Sequence, residues 1–172
     1  DVAGQRVLMR ADLNVPVRDG KILDDDKIRR AVSTMRSVAD RGGRLVVLSH
    51  LGRPLSNRFD PALSLRPCAD RVGELLGKPV VFEDDLEHGD VASLFARLHD
   101  GQVAMGENLR FSDAEVLGDD ALAQRLAGAA DIYCNDAFGA LHHRHASVLA
   151  LPRVMIDHGK PCVAGLMMAR EL

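Results

Sequence analysis

Aromatic residues are scarce in this chain, which has five Phe, one Tyr and no Trp among 172 residues. Proteins that bind single-stranded nucleic acids stack bases on aromatic side chains, so this scarcity disfavours that class of protein. The net charge of −3 also excludes a generally basic nucleic-acid binder. No apolar run reaches the length of about 18 residues that a membrane-spanning helix needs, so no membrane partner is expected.

Cysteine is also rare. Cys68, Cys134 and Cys162 are odd in number, far apart, and without a CxxC pair. This pattern is typical of reduced thiols rather than of a disulfide framework, so we expect a cytoplasmic protein with free cysteines. The length and the hydrophobic content of 47% predict one domain with a sizeable core.

Short apolar runs alternate with amphipathic stretches along the chain. The apolar runs predict strands at 7–11, 44–50, 80–82, 102–106 and 132–135. The amphipathic stretches predict helices at 27–43, 64–77, 91–98 and 119–130, and a strand or turn that runs into a helix at 161–172. This alternation is typical of parallel strands with helices on both faces. We therefore predict an α/β fold of three layers, similar to a Rossmann fold.

Polar segments follow four of the predicted strands. They read ADLNVP at 11–16, SHLGRP at 49–54, ENLRF at 107–111 and NDAFGALHHRHAS at 135–147. In open α/β sheets, ligands bind at the carboxyl ends of the strands. We therefore expect the four segments to converge on one edge of the sheet.

The side chains at this edge favour the binding of a small anion. The candidates are Arg10, Asp12, Asn14, Lys27, His50, Arg53, Arg110, His142, His143, Arg144 and His145. Arginine forks match phosphate and carboxylate oxygens in pairs, and aspartate or asparagine could hold a hydroxyl group or orient an arginine. The sequence therefore predicts a site for a small, multiply anionic metabolite that carries hydroxyl groups.

Other interpretations of these residues stay open. The imidazoles of His142, His143 and His145 suit zinc or nickel, although nearby arginines would repel a cation. Glu107 and Asp136 could simply neutralise neighbouring arginines. Each loop could also be an ordinary solvated turn. Recurrence at four strand ends favours the anion site, and we predict no metal site.

At these residues the chain resembles the phosphoglycerate kinase family. RADLNVP, SHLGRP, ENLRF and NDAFG…H…HAS look like that family's signature segments, in the right order, from about residue 4 to the end. The resemblance is to the N-terminal half, one lobe of a two-lobe kinase. It implies that residues 1–172 form the domain that binds 3-phosphoglycerate or 1,3-bisphosphoglycerate. It also implies a monomer whose Mg²⁺ and ADP or ATP bind to a C-terminal domain absent from this chain.

The resemblance also assigns roles to individual residues. Arg10 and Lys27 match catalytic positions. The matches to the substrate site are Asp12, Asn14, His50, Arg53, Arg110, His142, His143 and His145. Among these, Arg53 and Arg110 would hold the phosphate that is not transferred, Asp12 and Asn14 would hold polar atoms of the substrate, and His50 and His142 would line the floor of the site.

Two positions depart from the family pattern. Lys27 and His143 stand where the family has arginines, and Arg144 is displaced by one position. Lysine keeps the charge but loses the planar fork, and histidine loses its charge near neutral pH. Affinity for 3-phosphoglycerate is thus expected to fall between about pH 6 and 8. The resemblance implies reversible phosphoryl transfer between 1,3-bisphosphoglycerate and ADP, and a divergent paralogue that binds a phosphorylated metabolite with little or no kinase activity is the alternative.

Overall fold

The computed structural model describes residues 1–55, 58–86 and 90–171. Its main sheet has six strands in the spatial order β5-β6-β4-β1-β7-β8, and all neighbouring strands are parallel. These strands are β1 (Arg6–Ala11), β4 (Arg44–Leu48), β5 (Val80–Glu83), β6 (Val103–Gly106), β7 (Ile132–Asp136) and β8 (Cys162–Ala164). A separate antiparallel hairpin is formed by β2 (Val17–Arg18) and β3 (Lys21–Ile22).

Seven α-helices lie among the described residues. They are α1 (Asp26–Ala39), α2 (Arg66–Leu76), α3 (Val91–Arg97), α4 (Asp113–Leu117), α5 (Asp120–Ala129), α6 (Leu151–Asp157) and α7 (Met168–Glu171). Within the part of the chain that the structure describes, no helix has the length and apolarity needed to cross a bilayer. The parallel α/β sheet that the sequence predicts is confirmed.

Some elements differ from the sequence-based prediction. α1 ends at Ala39, a little before the two glycines at 42–43 that were expected to stop it, and Gly42 takes a left-handed φ of 81° in the turn that follows. The hairpin of β2 and β3 was not predicted, although its turn residues Asp19 and Gly20 both have positive φ, as a tight hairpin turn requires. The short helices α4 and α6 were also not predicted. Five residues are too few for α4 to show a helical period, and Pro152 near the start of α6 interrupts the helical pattern.

Successive side chains of each strand point to opposite faces of the sheet, so an apolar core forms on each face. In β1, Val7 and Met9 pack on one side with Ile28 and Met35 of α1. Leu8 points to the other side, where it joins the cluster that includes Phe95 of α3. The period of two in a strand thus explains why helices cover both faces. Cys68, Cys134 and Cys162 are free thiols in this structure.

The sheet order brings the four polar segments together. β6, β4, β1 and β7 are consecutive neighbours in the sheet. Each of these strands ends where one of the polar segments begins, and Arg10 near the end of β1 lies in register with Leu48 and Asn135. The predicted convergence on one edge of the sheet is therefore confirmed.

Asp136, at the end of β7, holds the C-terminal segment against α1. Its buried carboxylate accepts hydrogen bonds from the Thr34 hydroxyl at 2.7 Å and from the backbone N–H groups of Met167 and Met168 at 2.8 and 3.1 Å. Glu107 likewise accepts from the backbone N–H of Leu65 at 2.8 Å. The hypothesis that these two acids neutralise arginines is therefore not supported by their contacts.

Asp136→Ala should destabilise the protein and loosen its C-terminal segment. Leaving buried donors without an acceptor costs about 1–3 kcal/mol each, so we expect a loss of about 2–4 kcal/mol in the free energy of unfolding. Chemical denaturation measures the loss, and hydrogen exchange at the amides of Met167 and Met168 should accelerate. Asp157→Ala is the control, because Asp157 is exposed at the end of α6. Unchanged exchange at both amides would contradict the prediction.

Candidate functional site

Six of the predicted residues line two cavities at the carboxyl edge of the sheet. The first, which we call the arginine–histidine cavity, is lined by Arg53, Pro54, Arg110, Val116, His143 and His145. The second, which we call the Lys27 cavity, is lined by Asp12, Lys27, Arg30, Ala31, Asp136, Phe138, Gly139 and Met167. Asn14 links the loops that form them, because its side-chain oxygen accepts a hydrogen bond of 2.9 Å from the backbone N–H of Gly52.

Arg110 is the most constrained cation of the arginine–histidine cavity. It lies in a 3₁₀ turn, Leu109–Phe111, that follows β6, and Asn108 caps this turn by accepting from the Arg110 N–H at 3.1 Å. The Nη1 group donates to the Gly52 carbonyl at 2.8 Å. The Nε–H is buried and has no hydrogen-bond partner within the described residues. A fixed, buried and unsatisfied donor is suited to donate to an oxygen of an anion.

His143, and not Arg144, is turned into this cavity. The Nη2 of Arg110 lies 3.2 Å from the Nε2 of His143, whereas Arg144 is exposed. Because a guanidinium can only donate, Nε2 must accept, and the neutral ring carries its proton on Nδ1. Burial, together with the neighbouring His142, His145 and Arg110, lowers the pKa of His143. The ring is therefore predominantly uncharged at neutral pH in the ligand-free protein.

The three histidines of the last segment are packed against one another. The ring centroid of His143 lies 4.0 Å from that of His142 and 4.7 Å from that of His145, with the latter pair nearly parallel. The Nδ1 of His145 is buried 3.9 Å from Oε1 of Glu115 and has no hydrogen-bond partner within the described residues. Burial and the charges of Arg110 and Arg10 lower the pKa of His145 to about 4. His142 is exposed and lines neither cavity.

The Lys27 cavity contains an ion pair. The Nζ of Lys27, in the first turn of α1, lies 2.9 Å from Oδ2 of Asp12. The other oxygen of Asp12 accepts from the backbone N–H of Asn14 at 3.1 Å. Gly139 borders this pair, and a Cβ at that position would lie 3.0 Å from the Asp12 carboxylate. In this conformation Asp12 and Asn14 therefore orient Lys27 and the neighbouring loop.

Arg10 lies beneath the two cavities and lines neither of them. Its side chain is fully buried. The Nε–H donates to Oγ of Ser147 at 3.0 Å, Nη1 donates to the Ala11 carbonyl, and Nη2 lies 2.8 Å from Nδ1 of His50. His50 is also buried, and burial with the charges of Arg10 and Arg110 lowers its pKa to about 2. Arg10 and His50 thus support the site from below.

Glu115 and Ser147 belong to this support, although sequence reasoning did not select them. Both are fully buried, and the Glu115 carboxylate accepts from the Ser147 hydroxyl at 2.6 Å and from the Ser147 N–H at 2.8 Å. A local signal exists, since Ser112 caps α4 and Glu115 stands three residues later, the spacing of a capping box. Its side chain, however, reaches Ser147 instead of the cap, which only the tertiary structure shows.

Among residues 1–55, 58–86 and 90–171, no three His, Cys, Asp or Glu side chains are placed to hold a metal ion. The nitrogen of His143 that could bind a metal faces the guanidinium of Arg110, and Nδ1 of His145 faces Glu115. The arrangement of these rings therefore favours contact with an anion.

Comparisons with known proteins agree on one family. The family model described as phosphoglycerate kinase matches residues 1–172. Proteins named phosphoglycerate kinase from Rhodopirellula baltica and Streptomyces coelicolor are 46% and 47% identical to this chain, which they cover over 100% and 99% of its length. The match takes in 43% and 42% of those two relatives, so the chain spans less than half of their length.

Solved structures show the same likeness. A phosphoglycerate kinase from Coxiella burnetii superposes with a TM-score of 0.85 at 33% identity, covering 99% of this chain and 41% of that one. The enzyme from Pyrococcus horikoshii gives a TM-score of 0.84 at 29% identity, over 99% of this chain and 42% of that one.

Proposed function

Because the chain belongs to the phosphoglycerate kinase family, we propose that it is the lobe of a phosphotransferase that binds 3-phosphoglycerate. The reaction is the reversible transfer of a phosphoryl group between 1,3-bisphosphoglycerate and ADP. The proposal places the nucleotide and its Mg²⁺ on a further lobe outside residues 1–172. The proposal includes a cytoplasmic monomer whose partner is a small molecule.

The observation that carries this proposal is the unsatisfied Nε–H of Arg110 in a cavity shared with Arg53. A phosphate accepts several charge-assisted hydrogen bonds, and a guanidinium fork matches its geometry. Arg53 is exposed and can close over a ligand, whereas Arg110 is fixed by Gly52 and His143. The non-transferred phosphate of 3-phosphoglycerate is therefore assigned to the arginine–histidine cavity.

The carboxyl end of the substrate is assigned to the Lys27 cavity. Phosphoryl transfer depends mainly on positioning and on neutralising the charge of the group in transfer. Lys27 supplies a mobile positive charge there, because its side chain is half exposed and, within the described residues, its ammonium pairs with Asp12 at 2.9 Å. On binding, Lys27 would exchange Asp12 for the phosphoryl oxygens, and Asp12 would stay available to a substrate hydroxyl.

Titration with 3-phosphoglycerate tests the site. Arg110→Ala and Arg53→Ala should each weaken binding about tenfold or more, since a hydrogen bond to a charged group contributes about 1.5–3 kcal/mol. Binding should also weaken as salt is added. Arg97→Ala is the control, because Arg97 lies at the end of α3, pairs with Glu83 at 3.0 Å and lines neither cavity. Wild-type affinity in both cavity variants would place the site elsewhere.

A second candidate function rests on the departures at Lys27 and His143. Both replace a planar, permanently charged group, and the lowered pKa of His143 removes its charge at neutral pH. A protein with these substitutions could bind a phosphorylated metabolite and transfer phosphate slowly or not at all. A coupled assay of the full-length protein distinguishes the two candidates, since only the first predicts turnover in the range of about 1–100 s⁻¹.

His143 should make binding of 3-phosphoglycerate dependent on pH. A bound phosphate stabilises the protonated ring, so its pKa is higher in the complex than in the free protein, and binding takes up a proton. Affinity is therefore highest below the free pKa and falls as pH rises through the bound pKa. Because the free pKa lies below its usual value, the fall should begin at a lower pH than the range of about pH 6 to 8 that the sequence alone predicted.

Affinity for 3-phosphoglycerate measured as a function of pH in the wild type, His143→Arg and Arg144→Ala checks the expectation. His143→Arg should flatten the fall, because arginine stays charged, and ionisation of the ligand is the same in both proteins. Arg144→Ala should leave the affinity and the pH profile unchanged, since Arg144 is exposed. A loss of binding in Arg144→Ala with no effect of His143→Arg would mean that Arg144 faces the phosphate.

A further inference from the structure

A chain of hydrogen bonds runs beneath the two cavities. It begins at the buried carboxylate of Glu115, whose Oε1 accepts from the Ser147 hydroxyl at 2.6 Å. Ser147 Oγ accepts from Nε of Arg10 at 3.0 Å, and Nη2 of Arg10 lies 2.8 Å from Nδ1 of His50. Four side chains from four separate segments are joined in this way, and each of them is at least nine-tenths buried.

The chemistry of these groups determines which atom donates in each of these hydrogen bonds. A carboxylate only accepts, so the single hydroxyl proton of Ser147 points to Glu115. The lone pairs of Ser147 Oγ are then free to accept from Arg10. A guanidinium only donates, so Nδ1 of His50 must be an acceptor. Since burial keeps His50 neutral, its one ring proton lies on Nε2.

We propose that Glu115 and Ser147 are positioning residues that determine which ring nitrogen of His50 carries the proton. They act by holding the guanidinium of Arg10 in the orientation that donates to Nδ1. The resulting Nε2–H of His50 is a neutral hydrogen-bond donor for the bound anion. This inference rests on the proposed function only for the identity of that anion.

The location of His50 supports this role. His50 lies two residues before Gly52, whose carbonyl accepts from Nη1 of Arg110 at 2.8 Å, and Arg110 lines the arginine–histidine cavity. A second anchor holds Ser147 in place, because the Tyr133 hydroxyl donates to the Ser147 carbonyl at 2.7 Å. Tyr133 stabilises Ser147 without taking part in the chain of donors, and it therefore provides a matched control.

Nitrogen NMR of the histidine rings tests the proposal in the ligand-free chain. The spectrum distinguishes a protonated from an unprotonated ring nitrogen. We expect a single His50 tautomer, protonated on Nε2, in the wild type and in Tyr133→Phe. Ser147→Ala and Glu115→Gln should give a mixture of tautomers, because Arg10 loses the acceptor or the orientation that holds it. Thermal unfolding of each variant records the loss of stability separately.

Affinity for 3-phosphoglycerate is the second measurement. Ser147→Ala and Glu115→Gln should weaken binding about tenfold, and Tyr133→Phe should leave it unchanged even if it lowers the melting temperature. For Glu115→Gln the direction of the change in affinity is informative, because removal of a negative charge alone would tighten the binding of an anion.

Several results would overturn the proposal. A single Nε2-protonated tautomer of His50 in both variants would show that Glu115 and Ser147 only stabilise the fold. Tighter binding in Glu115→Gln would show that Glu115 acts through its charge alone. If Glu115→Gln does not fold, the His50 tautomer and the affinity for 3-phosphoglycerate measured in Ser147→Ala decide the proposal. If the wild type does not bind 3-phosphoglycerate, the proposed function fails, and the NMR measurement still decides the role of Glu115 and Ser147.

Discussion

A preparation of residues 1–172 is expected to bind 3-phosphoglycerate and to produce no measurable ATP from 1,3-bisphosphoglycerate and ADP. Transfer requires the nucleotide and its Mg²⁺ to be held in line with the acceptor. The described cavities offer cations and hydrogen-bond donors for one anionic substrate, and the chain spans 43% of its relative from Rhodopirellula baltica. On the proposed function, residues 1–172 should therefore bind the substrate without turnover.

A coupled assay for ATP measures this, with a full-length member of the family as the positive control. Titration of the same preparation with 3-phosphoglycerate shows that the protein is folded and competent to bind. Turnover by residues 1–172 at the rates of ordinary kinases, about 1–100 s⁻¹, would show that this lobe holds both substrates.

Lys27→Ala in the full-length protein is expected to lower turnover about a thousandfold and to change the KM for 3-phosphoglycerate much less. A cation that faces the transferring phosphoryl group acts mainly in the transition state, where such a group contributes a factor of about 10³ or more. Lys27 is the side chain placed for this, since it lines the cavity at the start of α1 and its ion-pair partner among the described residues is Asp12, which a ligand can replace.

Two further variants sharpen this prediction. Arg29→Ala is the control, because Arg29 is also on α1 but its side chain pairs with Asp25 outside the cavity. Lys27→Arg combined with His143→Arg should raise turnover, since both changes restore the planar fork of the family pattern. A Lys27→Ala protein with wild-type turnover would remove Lys27 from the reaction.

The sheet was predictable because its signals are local. Each strand is a short run of apolar residues, and each long helix repeats apolar residues at a helical period. The polar segments at 11–16, 49–54, 107–111 and 135–147 follow strand ends, and parallel strands place such ends at one edge. The location of the candidate site therefore followed from sequence, whereas the short elements α4 and α6 did not.

The roles of individual residues were less predictable because they depend on burial. Arg10 and Arg53 are both arginines at the carboxyl edge, yet Arg10 is fully buried and Arg53 is exposed. Asp136 looked like a counter-ion for arginine and instead binds backbone N–H groups near the start of α7. Sequence gives the chemical type of a side chain, and only packing decides which partner it meets.

The sequence by itself thus determined the α/β fold and the edge of the sheet on which the candidate residues converge, because strand period and helix period are local patterns of neighbouring positions. The types of these residues also led to the prediction of an anionic ligand. The tertiary structure alone decided that His143 faces Arg110, that Lys27 pairs with Asp12 and that Glu115 supports the site. These contacts join residues far apart in sequence, such as Ser147 with Arg10 at a separation of 137 positions. Their geometry is set by strand register and by the desolvation of buried polar groups, which no local pattern encodes.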